Sequence, residues 1–388
     1  MTVFLIIIVV ALFGITVWQL TRIFRLSRDT SSIDSTQVAN DKDNRTHGNL
    51  MLAFGIGFYL FMLYCFWFYS DRALPAASSE HGLEYDTLMW ISLAVIMFVQ
   101  VITQGLLHWF AFTYKGRKGQ KALFFADNDK LEFIWTIIPV IVLAGLIIYG
   151  LFTWSSIMNI DEEEGDPIVI EIYAKQFAWE ARYAGTDNTL GKANVRFIEG
   201  INTVGIDVSD SYAMDDKVTA ELHLPVGRPV IFKFRSQDVL HSAYFPHFRA
   251  QMNVVPGMTT QFAFTPTVTT KEIRETEYMT DKVARIKEIR KVRSDGGETD
   301  MADYEDFDYY LLCNKICGTA HYNMQMKIVV ETEEEFNSWL AQQREFGAVL
   351  QAQQEQAAPQ QQQQGAQEQT TPAQNENETE ETVAQLQN

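Results

Sequence analysis

Between residues 313 and 324 the chain reads Cys313-Asn-Lys-Ile-Cys317-Gly-Thr-Ala-His321-Tyr-Asn-Met324. Two thiols, an imidazole and a thioether fall within twelve residues, at spacings of four, four and three. Soft sulfur donors beside imidazole select copper, and Cys/His/Met sets hold it in electron-transfer centres. Two thiolates on one loop can also bridge a pair of copper ions and spread one electron over both. Two other uses of these residues compete with that one. Cys313 and Cys317 can pair as a disulfide in an exported domain, and zinc takes Cys and His, although Met is a poor ligand for it. The third cysteine, Cys65, lies in an apolar run and reads as a packed thiol.

A copper centre of this kind needs a second imidazole, and one segment offers two: Ser236-Gln-Asp-Val-Leu-His241-Ser-Ala-Tyr-Phe-Pro-His247-Phe-Arg249. Spacing alone does not choose between His241 and His247. The segment directly follows an alternating run at 230–234, which places it at a strand end, where a β-sandwich presents loops. Asp238 and Arg249 are candidates for supporting the ligand loop or an interface.

The elements that must position these residues are short β runs. Residues 167–174, 218–224, 230–234, 261–264, 309–312 and 326–330 alternate or are β-rich, with turn residues such as Pro225 and Gly227 between them. Several short strands with turn punctuation predict a β-sandwich, its metal loop between the last two strands. Residues 268–306 interrupt the pattern. Met279, Val283 and Ile286 recur at helical spacing in a charged run, which predicts an exposed amphipathic helix within 275–292 facing a partner. Thr332-Glu-Glu-Glu335 is a capping box that opens a helix with Phe336, Trp339 and Leu340. Beyond it the chain turns to Gln, Glu, Ala and Thr, a composition that predicts a disordered tail. No Cys-x-x-Cys-His occurs, so no covalent haem is expected.

The N-terminal part is different in kind. Apolar stretches at 3–20, 51–70, 88–113 and 132–154 each approach the ~20 residues of a spanning helix. Loops 21–50 and 114–131 each carry five Lys or Arg, whereas 71–87 carries only Arg72. The positive-inside rule therefore puts both basic loops in the cytoplasm and the chain beyond residue 155 on the exported side. The first stretch has a second reading as a signal peptide, but its basic residues come after the apolar run rather than before it, which favours a retained span. Glu132 stands at the cytoplasmic mouth of the fourth span, either as a solvated interfacial charge or as a proton-path group. His108, near the inner end of the third span, is expected to face a neighbouring helix or the membrane interface rather than a haem. Lys and Arg number 31 against 49 Asp and Glu, and the whole formal charge of −18 arises after residue 155. That balance excludes nucleic acid as a partner and suits a basic protein drawn in by long-range attraction.

From about residue 88 to 345, with 268–306 set aside, the chain resembles subunit II of haem–copper cytochrome c oxidases. The motifs that carry the likeness are Glu132-Phe-Ile-Trp-Thr-Ile-Ile-Pro139, Gln176-Phe-Ala-Trp179, Asp238-Val-Leu-His241-Ser and the Cys/His/Met loop. The resemblance implies a cupredoxin-like fold for the exported sandwich, so with the four apolar stretches the expected fold class is a membrane α-helical N-terminal region of four spans followed by an exported all-β cupredoxin-like sandwich; the first two spans, the insertion and the tail lie outside the family's core. It implies a dinuclear copper centre, CuA, held by His241, Cys313, Cys317, His321, Met324 and the backbone carbonyl of Lys315, so that His241 is taken over His247. It implies that Glu132 admits protons toward subunit I and that Phe177 or Trp179 receives the electron. Reduced cytochrome c, or a haem domain of a partner respiratory complex, would be the donor. Oxidase subunit I, other oxidase subunits and membrane lipid would be the remaining partners, in a bacterial inner (cell) membrane with the copper domain periplasmic. No haem is expected in this chain itself. The expected organisation is 1–70, extra spans and a basic loop; 71–155, a hairpin on subunit I; 156–345, the copper domain with its insertion 268–306; and 346–388, the tail.

Two departures stand out. The family usually has Glu where this chain has Lys315, so carboxylate ligation of a shared magnesium or manganese ion is lost. It usually has Trp directly after the glutamine, where this chain has Phe177. A CuA subunit of a nitric oxide reductase-type enzyme is the alternative reading, and a copper-free quinol oxidase subunit is disfavoured because every side-chain ligand is present.

Overall fold

Strict alternation makes the strand at 168–175 legible: Ile168, Ile170, Ile172 and Ala174 all turn into one core. The computed structural model describes residues 2–29, 40–121, 123–159, 166–297, 304–353 and 355. It divides into two units, one of 1–74 with 89–146 and one of 75–88 with 147–388.

The first unit is helical. Helices α1 (Thr2–Asp29), α2 (Asp41–Ala73), α3 (Glu80–Thr113) and α4 (Asp129–Met158) succeed one another, the last two running on into the second unit. Among the described residues three helices are long and apolar enough to cross a membrane: 41–70 of α2, and all of α3 and α4. Of the four expected spans, those at 51–70, 88–113 and 132–154 are thus found among the described residues. The stretch at 3–20 is helical as α1, but side chains of its first turns lie outside the described residues. Close approach of α2 and α3 depends on glycine. A Cβ on Gly55 would stand 2.8 Å from the His108 ring, which is only 4% exposed, and Tyr59 donates to the Val101 carbonyl at 2.6 Å. His108 thus faces a neighbouring helix, as its position suggested.

The second unit is a sandwich of two five-stranded sheets. The strands are β1 (Ile168–Lys175), β2 (Ala178–Tyr183), β3 (Lys217–Thr219), β4 (Leu222–Pro225), β5 (Val230–Ser236), β6 (His241–Phe245), β7 (Ala250–Val254), β8 (Thr260–Phe264), β9 (Tyr309–Cys313) and β10 (Gln325–Glu331). One sheet runs β3-β2-β1-β5-β8 and the other β4-β10-β9-β6-β7. Between them lies an aromatic core in which Phe232, Phe245, Phe248 and Phe264 pack, stacked or edge-on, at centroid distances of 4.9–5.5 Å. Three strands fall outside the runs named above. In β2 Trp179, Ala181 and Tyr183 alternate with Glu180 and Arg182, and Arg182, at a position that alternation would give to water, is fully buried against Glu171 (2.8 Å) and Asp216 (2.5 Å). Strands β6 and β7 carry His241, Ser242, Gln251 and Asn253, so they look like loop. The run 218–224, expected as one strand, breaks at Ala220 and Glu221, and its halves join different sheets.

The insertion is not merely exposed. Helices α5 (Thr270–Glu275) and α6 (Glu277–Asp295) place Ile273, Met279 and Val283 in the main core, and α5 starts from a Thr269–Glu272 capping box. The predicted box at Thr332 and Glu335 opens α7 (Glu333–Gln342). Residues 346–353, expected in the tail, are helical, and Phe346 is 5% exposed in a second cluster with Tyr173, Val204 and Ile206. Past residue 353 only Glu355 is described, so the disorder expected there falls outside the described residues.

Residues 75–88, expected with the membrane hairpin, group with the sandwich. Arg249 forks onto Asp86 at 2.8 and 2.9 Å, Tyr309 donates to Ser78 Oγ at 3.0 Å, and the His247 carbonyl accepts from the Ser78 N–H at 2.7 Å. Arg249 therefore serves this strap and not the ligand loop. His247 lies between Phe307 and Tyr309, away from the thiols. Burial, reinforced by Lys282 and Arg249, pushes its imidazole down to about 4 from 6.5. A depressed histidine leaves the unfolded chain binding more protons between those values, so its contribution is complete above pH 6.5 and lost as pH falls, by about 3 kcal/mol at pH 4. Asp216, which burial pushes up to about 6 from 3.8 despite Arg182, acts in the opposite sense over its own window. The expected result is therefore a difference: His247→Phe should flatten the fall in denaturant midpoint between pH 7 and 4.5 relative to wild type. Parallel wild-type and variant curves would contradict this assignment.

Candidate metal centre

The pairing of β6 with β9 sets Ala243 opposite Cys313, which brings the first residue of β6, His241, beside the end of β9. The neck of the next loop is closed by the Cys313 N–H donating to the Met324 carbonyl at 3.1 Å. Within that frame Cys313 Sγ and Cys317 Sγ stand 3.9 Å apart as free thiols. His241 Nδ1 lies 3.9 Å from Cys313 Sγ, His321 Nδ1 3.5 Å from Cys317 Sγ, and Met324 Sδ 3.7 Å from Cys317 Sγ. The Lys315 carbonyl lies 3.2 Å from Cys313 Sγ. All six groups inferred as ligands thus converge, and His241, Cys313 and Cys317 offer donor atoms within 4.8 Å of one another.

The surroundings fit a soft metal. Cys313, Cys317 and Met324 are buried and His241 is fully so. His241 Nε2 lies 2.9 Å from Asp238 Oδ1. If the carboxylate takes that N–H, Nδ1 is left lone-pair outward toward the sulfurs, the tautomer a metal needs. Burial alone would raise the Asp238 carboxyl, but hydrogen bonds from His241, Gln176 and Val239 hold it below its usual range. Burial and the neighbouring Cys313 push the Cys317 thiol up to about 11, so without metal it is protonated and metal uptake must release that proton. Lys315 itself is exposed, with its side chain outside the cluster.

The two aromatic candidates differ. Trp179 is 4% exposed, its ring 6.0 Å from that of His241 and its Nε1–H 3.4 Å from the Met324 carbonyl. Phe177 is half-buried and lies over Gly318. Glu132, in the first unit, is exposed in the first turn of α4, where Asn128 caps the helix through the Leu131 N–H at 3.1 Å. Sequence reasoning assigned no role to Gln176, whose side-chain amide donates to the Cys317 carbonyl and whose N–H donates to Asp238 Oδ2 at 2.7 Å. Contacts across 141 and 62 positions leave no local signal.

The family description "Cytochrome C oxidase subunit II, transmembrane domain" matches residues 49–152, so the likeness begins inside α2, earlier than residue 88. The alternative cytochrome c oxidase subunit 2 of Bradyrhizobium diazoefficiens is 30% identical over 309 residues, covering 77% of this chain and 92% of that protein. The chain belongs to the cytochrome c oxidase subunit II family. A cytochrome c oxidase subunit 2 from Thermostichus vulcanus is 22% identical over 294 residues, 69% of this chain and 78% of that one. Among solved structures, the periplasmic domain of subunit II of a cytochrome oxidase from Bradyrhizobium japonicum matches 45% of this chain and 91% of its own, at 17% identity and a TM-score of 0.25, too low to bear on the fold. Membership makes the chain a subunit of an oxidoreductase complex.

Gly318 has φ +143°, and a Cβ there would stand 2.7 Å from the Phe177 ring and 2.8 Å from Gln176 Nε2. Gly318→Ala should force the loop and this turn apart and expose Cys317. Its reaction with a thiol reagent should quicken by about tenfold, the equivalent of ~1.4 kcal/mol within the range of local backbone strain. An unchanged rate would mean the contact is not constraining.

Proposed function

We propose that this chain takes up electrons on the exported side of a bacterial cell membrane and relays them through a dinuclear copper centre to subunit I of a respiratory terminal oxidase, where oxygen is reduced to water. The observation that carries the reading is the convergence of two thiols, two imidazole Nδ1 atoms, a thioether and the Lys315 carbonyl. Copper bound there would supply a one-electron couple shared between two metals. Cys313, Cys317, His241, His321 and Met324 would hold the copper, with the thiolates and imidazoles as its strong donors and the thioether as a weak one. Burial keeps water from the sulfurs, and the Asp238 contact orients His241. Lys315 contributes only a carbonyl. Its ammonium group cannot ligate a hard cation, so no shared magnesium or manganese ion is assigned beside it.

Phe177 at the surface and Trp179 beneath it form a route from the outside to His241 and Met324. The acidic exported half suits cytochrome c, or a basic haem domain of a partner complex, as donor. In this reading the helical hairpin of 71–155 packs on subunit I, apart from the strap 75–88, which joins 156–345 in the copper domain. Glu132, at the cytoplasmic mouth of α4, collects protons for the partner's chemistry.

The purified chain should bind two copper ions and, oxidised, show a purple chromophore whose hyperfine pattern is spread over two nuclei. Cys313→Ser or Cys317→Ser should abolish it. One copper per chain with a blue single-centre spectrum would sink the dinuclear assignment. In the assembled oxidase, Glu132→Gln should slow turnover and leave the copper spectrum intact; full activity across the pH range would remove the proton role.

A further inference from the structure

The turn between β1 and β2 belongs to the sheet that carries none of the metal-facing residues, yet it touches every segment that does. The Gln176 N–H donates to Asp238 Oδ2 at 2.7 Å, and the other oxygen of that carboxylate meets His241 Nε2 at 2.9 Å. The Gln176 side-chain amide donates to the carbonyl of Cys317. The neighbouring Phe177 ring covers Gly318, where a side chain would collide with both turn residues. Two positions on, Trp179 Nε1–H reaches toward the carbonyl of Met324. His241 stands on β6, whereas Cys317 and Met324 lie on the loop between β9 and β10; the turn is a single body in contact with both.

We propose that Gln176 is a positioning residue of the metal centre, tying the imidazole of His241 and the thiol of Cys317 to one anchor on the opposite sheet. The main-chain donor steadies Asp238, and Asp238 fixes the ring orientation and tautomer of His241. The side-chain donor fixes the peptide after Cys317, and with it the direction of the sulfur toward Cys313. Two ligands that reach the site from separate segments are thereby held in one geometry before any metal arrives. Groups that orient ligands without touching the metal are commonly worth 10–100-fold in metal affinity. Only a side chain with an amide N–H at this length satisfies the Cys317 carbonyl without adding charge. Met has the length without the donor, and Glu has an acceptor facing an acceptor.

The proposal rests on the copper reading of the site, and the experiment separates the two. Full-length chain in detergent is titrated with copper(I) against a chelator of known affinity, and the oxidised absorption spectrum and denaturant midpoint are recorded alongside. Gln176→Met should weaken copper binding by about 10–100-fold and alter the thiolate-to-copper absorption, with little change in midpoint. Asp238→Asn should act in the same direction. The double variant should lose less than the product of the two single losses, because both act through one turn. Gln176→Asn, which keeps the main-chain bond and withdraws the amide by one carbon, replaces Gln176→Met should the latter fail to fold, with the same expectation. Copper affinity and spectrum within twofold of wild type would overturn the proposal, as would independent, multiplicative losses or a loss that only tracks the denaturant midpoint. A wild-type chain that takes up no copper would instead sink the reading beneath it.

Discussion

Everything at the site hangs on the register between β6 and β9. His241 and Cys313 are separated by 72 positions, and only the antiparallel pairing of Ala243 with Cys313 brings them together. A slip of one residue would send the Cys313 side chain to the other face of its sheet, away from the imidazole. That register is specified by burial: Tyr309, Leu311 and Cys313 turn inward together from β9, as Ala243 and Phe245 do from β6. The pairing of β10 with β9, Gln325 opposite Leu312, then fixes both ends of the loop that carries Cys317, His321 and Met324. The aromatic core therefore does more than stabilise the sandwich; it sets the spacing of the sulfurs.

What the sequence disclosed depended on how local each signal was. The loop from Cys313 to Met324 was legible because its donors lie a few residues apart, and the β1 and β5 strands because their alternation is clean. The strand β6 was hidden by the residue that makes it useful: a strand opening with His-Ser reads as loop, and only its pairing with β7 and β9 makes it a strand. In β2 it was the burial of Arg182 that stayed hidden, since a guanidinium signals exposure until Glu171 and Asp216 are seen beside it. The choice between His241 and His247 rested on family likeness. The structure gives the physical reason, because one imidazole meets a carboxylate and the sulfurs while the other is walled in by Phe307 and Tyr309. Asp238 was visible as a supporting group; Gln176 was not.

In the insertion and the tail, average composition hides single contacts. A run as charged as α6 read as an exposed amphipathic helix whose stripe would face a partner, yet Met279 and Val283 of that stripe dock its first turns on this chain's own core. Residue 346 looked like the start of a polar tail, yet Phe346 closes a cluster over Tyr173. Single large apolar residues in polar surroundings mark contact points that averages smooth away.

The strap at 75–88 bears on how this sandwich can be studied in isolation. A soluble fragment beginning near residue 156, the natural choice from the hydropathy profile, removes Asp86 and leaves the Arg249 guanidinium, 4% exposed, without its carboxylate. It also removes the β-bridge from Ser79 to Pro266 and the hydroxyl that Tyr309 bonds. Removing the strap also uncovers the guanidinium and the apolar surface beneath it, so the ion pair and its packing are lost together. Such a fragment would be weakest around β7 and the N-terminal end of β9, the strand that carries Cys313. Fusing residues 75–88 back onto it, or replacing Arg249 with a neutral side chain, is what an isolated version would require.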